Sequence, residues 1–254
     1  MRIQILGCNG GIGGGARTTS LLVDDDVLID AGTGVADLSL DAMAAIDHVF
    51  LTHSHLDHVA CIPFLLDSVG SRRRQPLVVH GQEATLAALR QHLFNNALWP
   101  DFTCIPTAAA PYLRFEVLAP GQTQIVAGRR FHSVAVTHTV PAVGYLISNG
   151  VATFAFSGDT TSTEQFWQEV NACPDLAHVA IETSFVDAEE ALAQLSGHLS
   201  PRLLAAELGK FTRNVPVYIT HLMPGEDEAI LAEIAQQVPG RRVHPLLRGM
   251  VFEL

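Results

Sequence analysis

The stretch Ile46-Asp47-His48-Val49-Phe50-Leu51-Thr52-His53-Ser54-His55-Leu56-Asp57-His58 decides the reading. Residues 47–52, with Val49-Phe50-Leu51 at their centre, fit a short apolar strand. The six that follow hold four potential metal ligands, His53, His55, Asp57 and His58. In extended or looped backbone, alternate residues share one side, so His53 and His55 can face one cation. Asp57 and His58, where the chain turns into a helix, can face a second. Borderline divalent metals bind imidazole nitrogen and carboxylate oxygen, and a catalytic site keeps one position open for water. A single loop histidine needs no ligand, but four donors in six residues behind a strand point to a metal site.

Further donors stand where later β runs end. His138 follows Phe131–Thr137, Asp159 follows Val151–Phe156, and His221 follows Val215–Thr220. Each alone could cap a turn. Repeated placement at strand ends predicts that they converge on one edge. Asp159 can bridge two cations because its two oxygens accept independently.

The rest of the chain fits one α/β domain over residues 1–254. Strands are expected at 2–6, 17–23, 26–30, 177–182 and 215–220, with a closing β segment at 248–253. Helical spacing marks 58–69, 82–95, 163–171, 200–209 and 226–237. The stretch 112–157 is rich in β runs, and Asn149-Gly150 carries a hairpin signature. Strand-rich blocks with helices after each half suggest sheet packed on sheet with helices outside.

Composition narrows the function. At 254 residues a chain can bury about three quarters of its unfolded surface, so no disulfide scaffold is needed. No run approaches the roughly 18 apolar residues of a membrane span. Asp+Glu 26 against Lys+Arg 15 argues against a broad grip on nucleic acid. The opening Met1-Arg2-Ile3-Gln4-Ile5-Leu6-Gly7 lacks the apolar stretch of a secretory leader. Cys8, Cys61, Cys104 and Cys173 form no CxxC pair and read as reduced thiols. A cytoplasmic location is therefore expected.

The set Asp30, His53-x-His55-x-Asp57-His58, His138, Asp159 and His221 resembles the metallo-β-lactamase fold in its phosphodiesterase branch. Within it, Phe94-Asn95-x-x-x-Trp99-Pro100, Glu182-x-Ser184-Phe185 and His198-Leu199-x-Pro201 look like the class II cyclic-nucleotide phosphodiesterases. The chain is shorter than many members of that group and lacks their leader, which suggests a compact branch with a shifted substrate preference. The resemblance implies an αββα sandwich with two metals at one edge. By that resemblance His53, His55 and His138 hold one metal, Asp57, His58 and His221 the other, and Asp159 bridges. Asp30 would fix the His-rich loop by hydrogen bonds. Zinc, manganese or iron would suit these donors.

The chemistry expected is opening of a 3′,5′-cyclic nucleotide, cAMP or cGMP, to its 5′-monophosphate. A hydroxide bridging the metals would attack phosphorus. Glu182 and His198 are the candidates for protonating the leaving oxygen, and Asp57 joins them in the catalytic set. Asn95, Trp99, Phe94 and Phe185 are weaker candidates for contacting the base. A ribonuclease Z-like tRNA 3′-end-processing nuclease, or another hydrolase of the fold, is the rival. The expected partner is a small cyclic nucleotide rather than nucleic acid or membrane, and a homodimer stays open.

Two motifs compete. Gly11-x-Gly13-x-x-Ala16 mimics a dinucleotide fingerprint, but a β-branched, apolar run follows where a helix is required. A tight loop at the site's edge, offering backbone N–H groups to phosphate, fits better. Arg72-Arg73-Arg74 reads as a solvated cluster at a helix end. His48, His80, His92, His132, His178 and His244 lack ligand spacing.

Overall fold

Alternation of apolar side chains in the short strands sorts the interior into three layers. In Val27–Ile29, Val27 and Ile29 face one side while Leu28 faces the other, each fully buried. In Ala142–Ser148, Tyr145 and Ile147 point inward and Leu146 outward. The middle layer joins Ile3, Ile5, Leu21 and Phe50 of one sheet to Phe131, Phe154 and Phe156 of the other. The outer layers pack each sheet against helices. The result, a computed structural model describing residues 1–254, is an αββα sandwich.

The first sheet runs, in spatial order, Val251–Glu253, Arg2–Gly7, Ser20–Val23, Val27–Ile29, His48–Phe50, Leu77–Gly81 and Leu113–Val117. The second runs Val243–Pro245, Val217–Thr220, Leu176–Glu182, Thr153–Phe156, Ala142–Ser148, Arg129–Val136 and Thr123–Val126. Within the first, the strands from Val27–Ile29 to Leu113–Val117 pair in parallel. Within the second, those from Thr153–Phe156 to Val243–Pro245 do the same. Parallel strands bring their carboxyl ends to one edge, where open α/β sheets bind ligands. No helix is long and apolar enough to cross a membrane.

Several elements differ from expectation. The helix expected at 58–69 starts two residues earlier and divides into Leu56–Val59 and Cys61–Val69. The strand expected at 17–23 begins at Ser20, where its pairing with Arg2–Gly7 ends in a register shift between Ile5 and Gly7, and Arg17 lies outside it, ion-paired to Asp37 at 2.9 Å. Strand Leu77–Gly81 and the six-residue helix Leu40–Ala45 lie where neither was expected. Asn149-Gly150 does turn between antiparallel strands, but through a longer loop. There the Asn149 Oδ1 accepts from the amides of Val151 and Ala152, each at 2.9 Å. Arg73 of the basic run is not solvated: its side chain is 2% exposed and bonds Asp47 at 2.7 Å.

Candidate active site

Six residues expected at the site follow or end strands that share this edge. Asp30 follows Val27–Ile29, and His53 lies just beyond His48–Phe50. Asp159 follows Thr153–Phe156, Glu182 ends Leu176–Glu182, and His221 follows Val217–Thr220. His138 lies beyond Arg129–Val136, which runs in the same sense as Thr153–Phe156 because both are antiparallel to the strand between them. His55, Asp57 and His58 come from the turn into the helix Leu56–Val59.

The donors form two groups. Ligand atoms of His53, His55, His138 and Asp159 lie within 4.8 Å of one another, as do those of Asp57, His58, Asp159 and His221. Asp159 belongs to both. Its Oδ2 is 3.7 Å from His53 Nε2, 3.3 Å from His58 Nε2 and 3.2 Å from His221 Nε2. Asp57 Oδ2 is 3.2 Å from His221 Nε2 and 3.4 Å from His58 Nε2. His138 Nε2 and His55 Nδ1 are 3.1 Å apart.

A metal centre fits these residues on an observation independent of the motif. His53 Nε2 and His58 Nε2 are buried and hydrogen-bond to nothing, although both face this cluster. A buried polar nitrogen without a partner is costly, and a cation is a partner for both. The His/Asp cluster is thus suited to binding a divalent metal.

The opposite ring nitrogens are held from behind. His58 Nδ1 meets Asp30 Oδ2 at 2.7 Å, and His138 Nδ1 meets the Gly197 carbonyl at 2.9 Å. His53 Nδ1 lies 3.0 Å from Thr52 Oγ1, and His221 Nδ1 2.9 Å from Ser184 Oγ. Such contacts fix tautomer and ring orientation. Gly197 is required here: its φ is +75°, and a Cβ would stand 2.8 Å from His138 Nδ1. Asp30 and His221 adopt positive φ, 55° and 63°. Strain of this kind persists only where the surroundings enforce it. Asp30 receives Thr52 N and Thr52 Oγ1, both at 2.8 Å.

Charge follows the same plan. Burial, then the neighbouring His58, keeps the His53 ring well below its ordinary pKa, favouring the neutral form that ligates. Burial would raise Asp159, but the adjacent His221 and His58 outweigh it and hold the carboxyl well down. Asp57 is held low in the same way, the adjacent His221 and His58 rings overcoming its burial.

Glu182 and His198 meet beside the cluster, Oε1 to Nδ1 at 2.7 Å. Glu182 is fully buried, and its carboxylate also accepts from Thr160 N, Leu199 N and Ser184 Oγ. Burial would lower His198, but the Glu182 charge and hydrogen bond carry its pKa up to about 9. The ring lies 5.0 Å from that of His138 and 5.2 Å from that of His221.

The weaker candidates divide. Phe185 flanks the His198 ring at 5.8 Å. Phe94 is core, packed against Phe102 and Phe115. The Asn95 side chain closes its own turn, bonding Gln91 O, Ala97 N and Leu98 N. Trp99 packs edge-on to Phe64. Thr52, Ser184 and the Gly197 carbonyl were missed as supports. Ser184 alone left a trace, two residues beyond Glu182 and so on the same side.

An αββα sandwich with this cluster at one edge defines a hydrolase of the metallo-β-lactamase fold. Residues 25–246 match the Beta-lactamase superfamily domain, and the chain belongs to that family. It is 26% identical over 92% of its length to a probable 3′,5′-cyclic-nucleotide phosphodiesterase of Yersinia pestis, covering 83% of that protein. It is 28% identical over 85% of its length to a ribonuclease Z of Bradyrhizobium diazoefficiens, covering 87% of it. Unliganded yeast PDE1 superimposes with a TM-score of 0.81 at 20% identity, over 100% of this chain and 99% of that one.

Proposed function

We propose that the chain is a dinuclear, metal-dependent phosphodiesterase that hydrolyses 3′,5′-cyclic nucleotides to 5′-monophosphates. His53, His55, His138 and Asp159 would hold one divalent ion, and Asp57, His58, His221 and Asp159 the other, zinc suiting this donor set. Bound there, the ions supply water activation and charge neutralisation at phosphorus. The chain's own residues do the rest. Asp30, Thr52, Ser184 and the Gly197 carbonyl orient the imidazoles. Glu182 fixes His198 by its Nδ1, leaving the other ring nitrogen to deliver a proton to the departing sugar oxygen.

The observation that carries this reading is the 2.7 Å Glu182–His198 pair standing beside the two donor groups. Likeness to the Yersinia pestis protein favours the cyclic nucleotide as substrate. Likeness to ribonuclease Z favours a second reading, cleavage of precursor tRNA. The excess of acidic residues weighs against that reading. A cytoplasmic location belongs to the proposal, and the Cys8 and Cys173 thiols serve as hydrogen-bond donors in reduced form.

The test is turnover of cAMP, cGMP and a precursor tRNA, each with and without chelator. Chelator-sensitive opening of a cyclic nucleotide is expected. Processing of the tRNA with neither cyclic nucleotide turned over would replace the first reading with the second.

A further inference from the structure

Ser184 stands where three segments of the site meet. Its backbone is fixed on both sides: Ser184 N donates to Leu199 O and Thr183 N to Thr220 O, each at 3.0 Å. The fully buried hydroxyl then lies 2.9 Å from His221 Nδ1, 3.2 Å from Glu182 Oε2 and 3.3 Å from His198 Nδ1. A serine hydroxyl carries one proton and two lone pairs, so it can donate to only one of these three.

The partners decide where that proton points. Glu182 is surrounded by donors: His198 Nδ1 at 2.7 Å and Thr160 N at 3.1 Å on Oε1, and Leu199 N at 3.3 Å on Oε2. Ser184 makes the fourth, which fills the acceptor capacity of an ionised carboxylate. The hydroxyl therefore donates to Oε2. His198 Nδ1 has the nearer carboxylate oxygen, so the Ser184 oxygen accepts from His221 Nδ1. A His221 proton on Nδ1 leaves the lone pair on Nε2, which faces Asp57 and Asp159 at 3.2 Å each. That is the form in which an imidazole ligates a metal. A hydroxyl turned the other way, donating to His221, would strip Glu182 of a donor and put the His221 proton on Nε2, among the ligand atoms.

We propose that Ser184 is a positioning residue for both halves of the reaction at once. Its oxygen fixes the His221 tautomer for the second ion, and its proton fixes the carboxylate that aims His198. The inference rests on the acid role given to Glu182 and His198 in the proposed function, not on which nucleotide is cleaved. Thr160, whose amide reaches Glu182, follows Asp159 directly, so the same carboxylate is also tied to the segment carrying the shared ligand. Without the hydroxyl, Oε2 keeps only the Leu199 amide, and His221 Nδ1 loses its hydrogen-bond partner. A buried N–H left unpaired is costly.

The test is Ser184→Ala, read in two ways. Zinc is titrated against a chromophoric chelator: one ion should bind as in the unaltered chain and the other about 10- to 100-fold more weakly. Turnover is then compared, at saturating zinc, on cAMP and on bis(p-nitrophenyl) phosphate, whose nitrophenolate departs without a proton. The kcat loss on the cyclic nucleotide should exceed that on the nitrophenyl diester by at least about 10-fold. In a His198→Ala background that excess should vanish, since no acid is left to misplace. Unchanged zinc affinity, or equal weakening of both ions, overturns the His221 half. Equal kcat losses on the two substrates, or an excess that persists without His198, overturn the Glu182 half. In a chain that cleaves precursor tRNA and no cyclic nucleotide, the same comparison runs on the tRNA, whose departing group is again a sugar oxygen. The proposed substrate would then fail, while the role of Ser184 stood or fell on its own result.

Discussion

His198 shows how much one residue can be asked to do. Its ring is fixed through Nδ1 by a buried carboxylate and stands about 5 Å from two cluster histidines. Proton transfer by a positioned side chain contributes about 10² to 10⁴ in rate. His198→Ala should therefore lose turnover by that factor while binding metal as before, with metal content measured alongside kcat. Full metal with full turnover would remove His198 from the chemistry. Asp30 acts through another residue, holding His58 Nδ1 at 2.7 Å. Asp30→Asn tolerates the positive φ but cannot supply the charge. Metal affinity should fall about 10- to 100-fold against a competing chromophoric chelator. An unchanged affinity would mean that Thr52 and packing hold the ring unaided. At this scale the sequence was legible wherever a side chain with distinctive chemistry ended a β run. It was silent on Thr52 and the Gly197 carbonyl, because hydroxyls and carbonyls are everywhere and only folding selects which one meets an imidazole. Phe94 misled because an aromatic at a helix end looks alike whether it meets a ligand or the core.

At the scale of elements, Glu207 ties helix Pro201–Lys210 to the start of helix Gln165–Ala172. It is buried and accepts from Ser162 Oγ at 2.5 Å, Thr163 N at 3.1 Å and Trp167 Nε1 at 2.8 Å. Lys210, the chain's one lysine, adds a bond at 2.8 Å. Truncation would leave the buried indole and amide unpaired. Glu207→Ala should lower the unfolding free energy by roughly 3 kcal/mol, read by urea denaturation, without altering metal affinity. A change below about 0.5 kcal/mol would show the network to be replaceable by water. The longer helices were legible from apolar spacing. Helix Leu40–Ala45, with six residues and a Ser39 cap, is too short for a period to show. Strand Leu77–Gly81 is apolar over only three residues before His80, and its partners on both sides, not its own pattern, make it a strand.

For the molecule as a whole, stability should depend on acid through a buried ring that is not part of the cluster. His80 stacks on Phe50 at 4.3 Å, and Phe50 on Phe131 at 4.3 Å, joining the two sheets. Burial, then the charge of His48, lowers its pKa from 6.5 to about 4. The folded value lies below the unfolded one, so between these limits the unfolded chain holds a proton that the folded chain lacks. Stability is whole above pH 6.5 and is lost as pH falls toward 4. From pH 7 to 5 that loss is about 2 kcal/mol. His80→Phe keeps the stack without the titration, so its stability should fall less over that range in urea unfolding. An equal loss in both chains would assign the acid sensitivity elsewhere. The architecture was legible at this scale because β-rich halves each followed by helices leave few ways to bury both faces of two sheets. Which strands run parallel, and hence which ends meet, was carried by pairing between distant segments.

The most direct measurement of the central claim is anomalous X-ray scattering from crystals grown with excess zinc or manganese. Two peaks about 3.5–4 Å apart are expected, one among His53, His55 and His138 and one among Asp57, His58 and His221, with Asp159 reaching both. A single peak, or none among those seven side chains, would contradict it.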